Sequence, residues 1–184
     1  EKCNLWVGLL CLILLVFIYL SIWICVNKLK NVKIQIDGSS VIIKEGDLFE
    51  EEGYKAIGFN EYFDTQVDNR IISEHSLNGI FINTICANKT KELDKYITEQ
   101  CDDDDIIEKG VNRKNGGKAI KYKLSTIIVY KEYLLTAFSK FDDKNRAYLT
   151  MPEYVEFLIN FWDRVNRIYA QKSVSVPIFG SGIT

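Results

Sequence analysis

Glycines and acidic residues follow three short apolar runs in this 184-residue chain, and residues of these types can hold an anionic ligand. Gly46-Asp47 follows "VIIKE", Asn60-Glu61 follows "AIGF", and Phe179-Gly180-Ser181-Gly182 follows "VSVPI". Consecutive backbone amides in a glycine-rich turn form a nest that binds phosphate without a lysine side chain. In open α/β sheets, ligands lie outside the carboxyl ends of strands. The last run therefore predicts a phosphate-binding loop, and a plain tight turn is the alternative that these residues leave open.

Metal chemistry has little support in the sequence. His75 is the only histidine, and the five cysteines contain no C-x-x-C pair, which excludes the usual zinc sites. The aspartates of 102–105 lack the alternating oxygen ligands and the turn glycine of an EF-hand loop. We therefore predict no metal site, assign no catalytic residue, and interpret 101–118 as a solvated, flexible excursion.

The elements that must position these loops begin with strands. "VKIQI" and "VIIKEGD" surround the turn 37–40, which is a β-hairpin signal. "YKAIGFN", residues 54–60, is a third strand. Residues 60–79 are irregular and polar, as a binding loop is, and residues 80–100 have weak helical character.

The C-terminal third predicts a strand–helix–strand unit. "LSTIIVY" and "YLLTAFS" form a β-pair, and Thr150-Met151-Pro152-Glu153 is a capping box with proline in the first helical turn. An apolar stripe at spacings of 3 and 4 predicts the face of this helix that packs on the sheet. Its members are Val155, Leu158, Trp162, Val165 and Tyr169. Because "VSVPIF" follows directly, we predict a βαβ unit in a mixed α/β domain.

A charge-free run at residues 5–26 predicts a transmembrane helix. Its 22 residues would extend about 33 Å as a helix, enough to cross a hydrocarbon core of about 30 Å. Three lysines, Lys28, Lys30 and Lys33, follow the run. This positive flank predicts that the helix lies in the inner membrane of the cell and that its C-terminal side faces the cytoplasm. The run is longer than a typical signal-peptide core and lacks a convincing cleavage pattern. The chain begins with Glu1, so further spans upstream are left open.

The charge of the remaining chain argues against nucleic acid as a partner. Residues 1–31 contain three lysines and one glutamate, so residues 32–184 contain 20 basic and 24 acidic residues. A nucleic-acid interface needs concentrated positive charge, which this balance does not supply. We therefore expect the lipid bilayer and a phosphate-bearing small molecule as partners, and no nucleic acid.

The order of the three loops resembles the macro-domain family. Longer segments carry the resemblance further, namely "AIGFNEYFDTQVDNRIISEHSLNG", "YLLTAFSKFDDKNRAYLTMPEYVEFLINFWDRV" and "VPIFGSGIT". They are similar to the divergent macro domain that effectors of the bacterial Thoeris anti-phage system carry behind membrane spans. The resemblance covers about residues 32–184. It implies a three-layer α/β/α fold that binds ADP-ribose and related NAD derivatives, and it implies a helix and strand after Thr184, so that the domain would be truncated here.

The resemblance also implies roles for individual residues. Asp47 would contact adenine, the loop that begins at Asn60 would lie near the distal ribose, and the amides of 180–182 would wrap the diphosphate. The ligand-contacting residues that it implies are Asp47, Leu48, Asn60, Glu61, Tyr62, Phe63, Asp68, Phe179, Gly180, Ser181, Gly182 and Ile183. The chain departs from the family in lacking the Asn-Ala-Ala-Asn run and the glycines of the first loop, where residues 64–68 stand instead.

Three functions are compatible with this resemblance. The first is a membrane effector that binds an ADP-ribose-type signal made from NAD by a TIR-domain protein, assembles into a homo-oligomer and damages the membrane. In this case the nucleotide is a signal and not a cofactor. The second is a membrane-tethered ADP-ribosyl hydrolase that uses Glu61, Asp64 or Asp68, and the third is an interaction module with a degenerate pocket.

The predicted domain organisation has four parts. A flank at 1–4 precedes the transmembrane helix at 5–26, a basic juxtamembrane linker occupies 27–31, and the macro-like domain occupies 32–184.

Overall fold

The computed structural model describes residues 2–28 and 31–181, with side chains from Trp6 onward. The predictions for Gly182 and Ile183 lie outside the described residues. The chain forms two compact units, Glu1–Asp47 and Leu48–Thr184. Each unit is built from its own elements.

The first unit contains a long apolar helix and a hairpin. Helix α1 spans Lys2–Asn27, and its segment Trp6–Asn27 is long and apolar enough to cross a membrane, with a mean hydropathy of 3.0. A membrane anchor and a signal sequence both contain such a helix. Strands β1 (Asn31–Ile36) and β2 (Ser39–Lys44) pair in antiparallel fashion. Positive φ angles of 45° at Asp37 and 82° at Gly38 close the two-residue turn, and the predicted hairpin is confirmed.

The second unit is a mixed α/β domain, as predicted. Its elements in chain order are β3 (Tyr54–Asn60), α2 (Leu77–Thr84), α3 (Thr90–Gln100), β4 (Ile106–Lys109), β5 (Ile120–Tyr122), β6 (Ile127–Tyr130), β7 (Tyr133–Phe141), β8 (Ala147–Tyr148), α4 (Met151–Ile168) and β9 (Val174–Ser175). The main sheet has the order β6-β7-β3-β9, with β8 added beside the end of β7. Strands β7 and β9 both run parallel to β3, so β7-α4-β9 is the predicted βαβ unit.

Apolar side chains cover both faces of the sheet. Alternate residues of β3 point to opposite sides, because successive side chains of a strand do so. Ile57 and Phe59 pack in the core that includes Phe81 of α2 and Leu93 of α3. Ala56 packs on the other side, in the core that includes residues of α4. The three-layer arrangement with the sheet in the middle therefore follows from the strand pattern.

The core-facing side of α4 differs from the predicted stripe. The buried residues are Phe157, Phe161 and Val165, at spacings of four, whereas Val155, Trp162 and Tyr169 are exposed. Val165 is shared with the predicted stripe, and Leu158 is partly buried against the same core. Apolar residues occupy more than half of the helix circumference, so a second stripe with helical spacing exists beside the buried one. The rings of Phe157 and Phe161 are the side chains that pack in the core.

The aspartate run departs in one residue from the solvated excursion that its composition predicts, because its first three aspartates are exposed and the fourth is not. Asp105 is buried, and its two carboxylate oxygens accept hydrogen bonds from Arg164 of α4 at 2.5 and 3.0 Å. Strand β4 follows at once and pairs with β5. The Asp105–Arg164 ion pair thus holds the start of this segment against α4.

Candidate functional site

The carboxyl ends of β7, β3 and β9 meet at one edge of the main sheet. Gly58 in β3 packs beside two aromatic residues there, since a Cβ atom at this position would lie in ordinary van der Waals contact, at 3.5 Å, with both Phe138 and Phe179. These rings stack with centroids 5.0 Å apart and an interplanar angle of 30°. The stack joins the end of β7 to the segment after β9, and it forms the apolar floor of the site.

The first loop is organised by Asn60 at the end of β3. The Asn60 side-chain oxygen accepts hydrogen bonds from the backbone N–H of Tyr62 at 3.0 Å and of Asp64 at 3.3 Å. Its Nδ2 donates to the Asp64 carboxylate at 3.1 Å. An asparagine that binds the backbone ahead of it stabilises a tight turn. Asn60 therefore shapes the loop, and Phe63, which has a φ of 49°, is buried at its far side.

Glu61 is a buried carboxylate at the same edge. Its Oε1 accepts a hydrogen bond from the backbone N–H of Phe141 at 3.3 Å. Lys121 Nζ lies 3.3 Å from Oε2, as an ion pair, although among the described residues this oxygen has no partner with hydrogen-bond geometry. The exposed fraction of Glu61 is 1%. Burying a carboxylate is unfavourable without a partner of opposite charge, and Lys121 supplies this partner.

A strap, residues 111–118, crosses the first loop and is held by Asp64. Arg113 donates to Asp64 at 2.7 Å, and the backbone N–H of Lys118 donates to the other Asp64 oxygen at 2.7 Å. The Arg113 guanidinium also lies 4.1 Å from the centroid of the Tyr62 ring. Burial raises the pKa of Tyr62 above its usual value, and the nearby Lys121 and Arg113 oppose this shift. Residues of the strap thus occupy the hydrogen-bonding positions of Asp64 and cover the ring of Tyr62.

Lys118 completes the strap. Its Nζ donates to the backbone carbonyl of Phe63 at 2.6 Å and lies 2.5 Å from the Asp94 carboxylate. Burial lowers the pKa of Lys118, and the hydrogen bond with Asp94 works in the opposite direction.

The glycine turn after β9 has the conformation of a tight turn. The backbone N–H of Ser181 donates to the carbonyl of Ile178 at 3.2 Å, and Gly180 has a φ of 84°. The Tyr154 hydroxyl of α4 donates to the carbonyl of Phe179 at 3.2 Å. Only glycine adopts this φ without a steric cost, so Gly180 is explained by the turn itself.

A groove of about 340 Å³ lies between the glycine turn, the end of β7 and the start of α4. Its walls are both apolar and polar, and its lining residues are Phe138, Ser139, Ala147, Tyr148, Leu149, Thr150, Met151, Tyr154, Phe179 and Gly180. Lys140 follows Ser139 and lies 2.5 Å from Glu153, whose hydrogen bond raises the pKa of Lys140. The groove has the size of a small-ligand site, with a cation near it.

The structure brings seven of the predicted site residues into two groups. Asn60, Glu61, Tyr62 and Phe63 form the first loop, and Phe179, Gly180 and Ser181 form the glycine turn. Asp68 lies apart and exposed, where it accepts hydrogen bonds from the backbone N–H groups of Arg70 and Ile71, which lower its pKa. Asp47 ends the first compact unit, and Leu48 begins the second, where it packs against the core.

Sequence reasoning missed the cations at this edge, namely Arg113, Lys118, Lys121 and Lys140. Arg113 and Asp64 are 49 residues apart in the chain, so no local spacing links them. The signal that was available is compositional. The loop "NRKNGGK" concentrates three basic residues, and a loop of this composition can pair with acidic residues elsewhere in the chain.

Comparison with known proteins identifies the family of this chain. The family model described as "Thoeris protein ThsA, Macro domain" matches residues 41–184. The chain belongs to the ThsA macro-domain family. The predicted resemblance and the predicted α/β fold class are therefore confirmed. A related protein, the Thoeris protein ThsA of Bacillus amyloliquefaciens (strain Y2), is 41% identical over 182 residues. The match covers 94% of this chain and 61% of that relative, so the chain spans about three-fifths of the relative's length.

Proposed function

We propose that this protein is a membrane-anchored effector of anti-phage defence whose ThsA-type macro unit binds an ADP-ribose-type nucleotide made from NAD. The single observation that carries the proposal is the match of the ThsA macro-domain model to residues 41–184. The related protein is named a Thoeris protein, which supports the role in defence. The carboxyl edge of the sheet, with its glycine turn, supports the location of the ligand.

The position of the ligand follows from the chemistry of this edge. The Phe138–Phe179 stack offers an apolar floor, and the exposed Gly180 leaves backbone accessible beside it. An ADP-ribose compound contains flat, hydroxylated and anionic parts, and a mixed groove suits such a ligand. We place the diphosphate near the glycine turn and retain Asp47 as the proposed adenine contact.

The remaining steps of the proposal concern the membrane. The apolar helix α1 would anchor the protein in the inner membrane, and the lysines after it would keep the macro unit in the cytoplasm. A TIR-domain protein would supply the nucleotide. Binding would favour a homo-oligomer, and assembly of the anchored helices would damage the membrane and kill the cell.

The experiment is the identification of the small molecule that co-purifies with the full chain from infected cells. We expect a mass that corresponds to an ADP-ribose derivative, in cells that also contain the TIR-domain protein and not in cells without it. Purified protein free of any adenine nucleotide in both cases would contradict the proposal.

Hydrolysis of ADP-ribosylated protein is the alternative function, and the site geometry gives it less support. Two of its three candidate carboxylates, Glu61 and Asp64, are buried in ion pairs with Lys121 and Arg113. A general base must reach a water molecule beside the substrate, and these two groups are engaged by cations. Incubation with an ADP-ribosylated protein should therefore release no ADP-ribose, and release that depends on Asp68 would favour the hydrolase.

A further inference from the structure

Arg113 is the residue at which the strap meets two other parts of the macro unit. Its side chain is buried, and its Nη1 donates a hydrogen bond to the Asp64 carboxylate of the first loop at 2.7 Å. Its other terminal nitrogen, Nη2, donates to Oδ1 of Asn145 at 2.7 Å. Asn145 belongs to the turn 142–146, which joins β7 to β8. One side chain therefore connects the first loop to this turn.

Two aromatic rings hold the same guanidinium group, one from each of these two parts. The centroid of the Tyr62 ring, in the first loop, lies 4.1 Å from the Arg113 guanidinium carbon, and that of Phe141, the last residue of β7, lies 5.7 Å from it. Cation–π attraction is stronger where the cation is removed from water. A planar guanidinium can stack on rings while it donates hydrogen bonds in its own plane, which an ammonium group cannot do. The position of Arg113 is thus set by two contacts with the first loop and two with the end of β7 and the turn after it.

A second residue of the strap reaches the same turn. The Asn145 side chain donates to the backbone carbonyl of Asn115 at 3.1 Å, and the Asn115 side chain donates to the backbone carbonyl of Asp143. The strap is therefore attached to the turn 142–146 at both Arg113 and Asn115.

The turn leads directly into a wall of the groove. Strand β8 consists of Ala147 and Tyr148, and both residues line the groove. The strand pairs with β7 through only two residue pairs. A strand this short makes few ladder hydrogen bonds, so its position depends strongly on the turn that precedes it. Contacts that fix the turn therefore also fix this wall.

Gly117 leaves the space that the Arg113 guanidinium occupies. A Cβ atom at Gly117 would overlap with Nη1 of Arg113, and Gly117 has a φ of 105°. The neighbouring Gly116 also has a positive φ, of 81°, but a Cβ atom there would meet only Ile71, at an ordinary contact distance of 3.8 Å. A side chain at Gly117 would therefore displace the guanidinium, whereas a side chain at Gly116 would not.

We infer that Arg113 is a positioning residue of the groove, which holds the β8 wall in place by tying the turn 142–146 to Asp64 of the first loop. Arg113 is not among the described residues that line the groove, so it would act on a ligand through Asn145 and β8. The dependence of nucleotide affinity on Arg113 rests on the proposed function, whereas the positioning of the wall does not.

The test measures amide hydrogen exchange in residues 142–148 of the full chain in detergent micelles, with no nucleotide present. We expect Gly117→Ala to raise the exchange rates there about fivefold or more, because the displaced guanidinium no longer holds Asn145. The matched control is Gly116→Ala, which adds the same methyl group at a positive φ without touching Arg113 and should leave these rates within about twofold of the wild type. Exchange in β3 serves as the reference for any change in global stability.

A second pair of variants removes one positive charge from the strap in each case. Arg113→Met should raise exchange in residues 142–148 as Gly117→Ala does, and it should weaken the binding of ADP-ribose, measured by calorimetry, about tenfold or more. Lys114→Met removes the charge of an exposed strap residue and should change neither quantity by more than about twofold.

Unchanged exchange of residues 142–148 in Gly117→Ala, relative to β3, would overturn the inference. Faster exchange confined to the strap would also overturn it, because Arg113 would then stabilise only its own segment. Faster exchange of the turn with unchanged affinity for ADP-ribose in Arg113→Met would contradict the role in binding. A wild type that binds no ADP-ribose would contradict the proposed function, and the exchange rates, which need no nucleotide, would still decide whether Arg113 positions the wall.

Discussion

At the scale of single residues, the most consequential contact is the ion pair between Asp64 and Arg113. Their side chains are exposed to only 1% and 8%, and the distance between the charged atoms is 2.7 Å. Removing one partner of a buried pair leaves an uncompensated charge. Through Arg113 and Lys118, Asp64 holds the strap on the first loop.

We predict that Asp64→Ala lowers the free energy of unfolding of the macro unit by about 3–5 kcal/mol. The control is Asp163→Ala, which removes an exposed pair with Arg167 and should cost less than about 1 kcal/mol. Chemical denaturation of the full chain in detergent measures both. Equal effects of the two substitutions would show that the strap contributes little to stability.

Residue-scale features were only partly predictable. The turn at Gly180 follows from local chemistry, because glycine at this place signals a positive φ, and the structure shows one of 84°. The burial of Glu61 does not follow, because its partner Lys121 comes from a strand 60 residues away in the chain. The sequence alone does not show whether the carboxylates of the first loop are free to contact a ligand. Tertiary contacts pair two of them, Glu61 and Asp64, with cations.

At the scale of elements, α4 begins with a capping box that the sequence predicted. The Glu153 carboxylate accepts hydrogen bonds from the backbone N–H and the hydroxyl of Thr150 at 2.9 and 2.8 Å. Lys140 donates to the same side chain at 2.5 Å. These contacts, with the hydrogen bond from Lys140 the largest, lower the pKa of Glu153 from 4.5 to about 2. The start of α4 is therefore tied to the end of β7 beside the groove.

We predict that Glu153→Gln lowers the melting temperature at pH 7, because the ionised carboxylate is the form that these contacts favour. A depressed pKa contributes stability that is present above the unfolded value of 4.5 and is lost as pH falls towards about 2. The difference in melting temperature between wild type and Glu153→Gln should therefore shrink across this range. Circular dichroism at several pH values measures it, and a difference that is constant from pH 7 to pH 2 would rule out the ion-pair explanation.

The elements themselves were mostly predictable, and the orientation of α4 was not. Strands such as β3 have apolar runs bounded by turn signals, and the capping box marks the start of α4. The stripe that includes Val155 and Trp162 satisfies helical spacing as well as the buried stripe does. Helical spacing alone does not show which of two apolar faces is buried. In the structure, the buried face of α4 is the one whose Phe157 and Phe161 rings pack against Phe179.

At the scale of the whole molecule, the chain combines an apolar helix with a macro unit. The proposed function requires the helix to span a membrane and the macro unit to lie on the cytoplasmic side. A span followed by lysines keeps its C-terminal side in the cytoplasm. We predict that a reporter fused after Asn31 is active only when it tests for the cytoplasm. Activity of a periplasmic reporter at this position would contradict the orientation and would separate the macro unit from cytoplasmic nucleotides.

The central claim, that the macro unit binds an ADP-ribose-type nucleotide at the glycine turn, is tested most directly by calorimetric titration of ADP-ribose into a chain extended past Thr184. The comparison is between wild type and Gly180→Val, with melting temperatures measured on the same samples. A β-branched side chain cannot readily adopt the positive φ of this turn, and it would obstruct the approach of a diphosphate to the backbone. We predict binding by the wild type and none by folded Gly180→Val, while Ser181→Ala binds nearly as well as the wild type. Normal affinity in the folded fraction of Gly180→Val would contradict the claim and leave Gly180 as a turn residue alone.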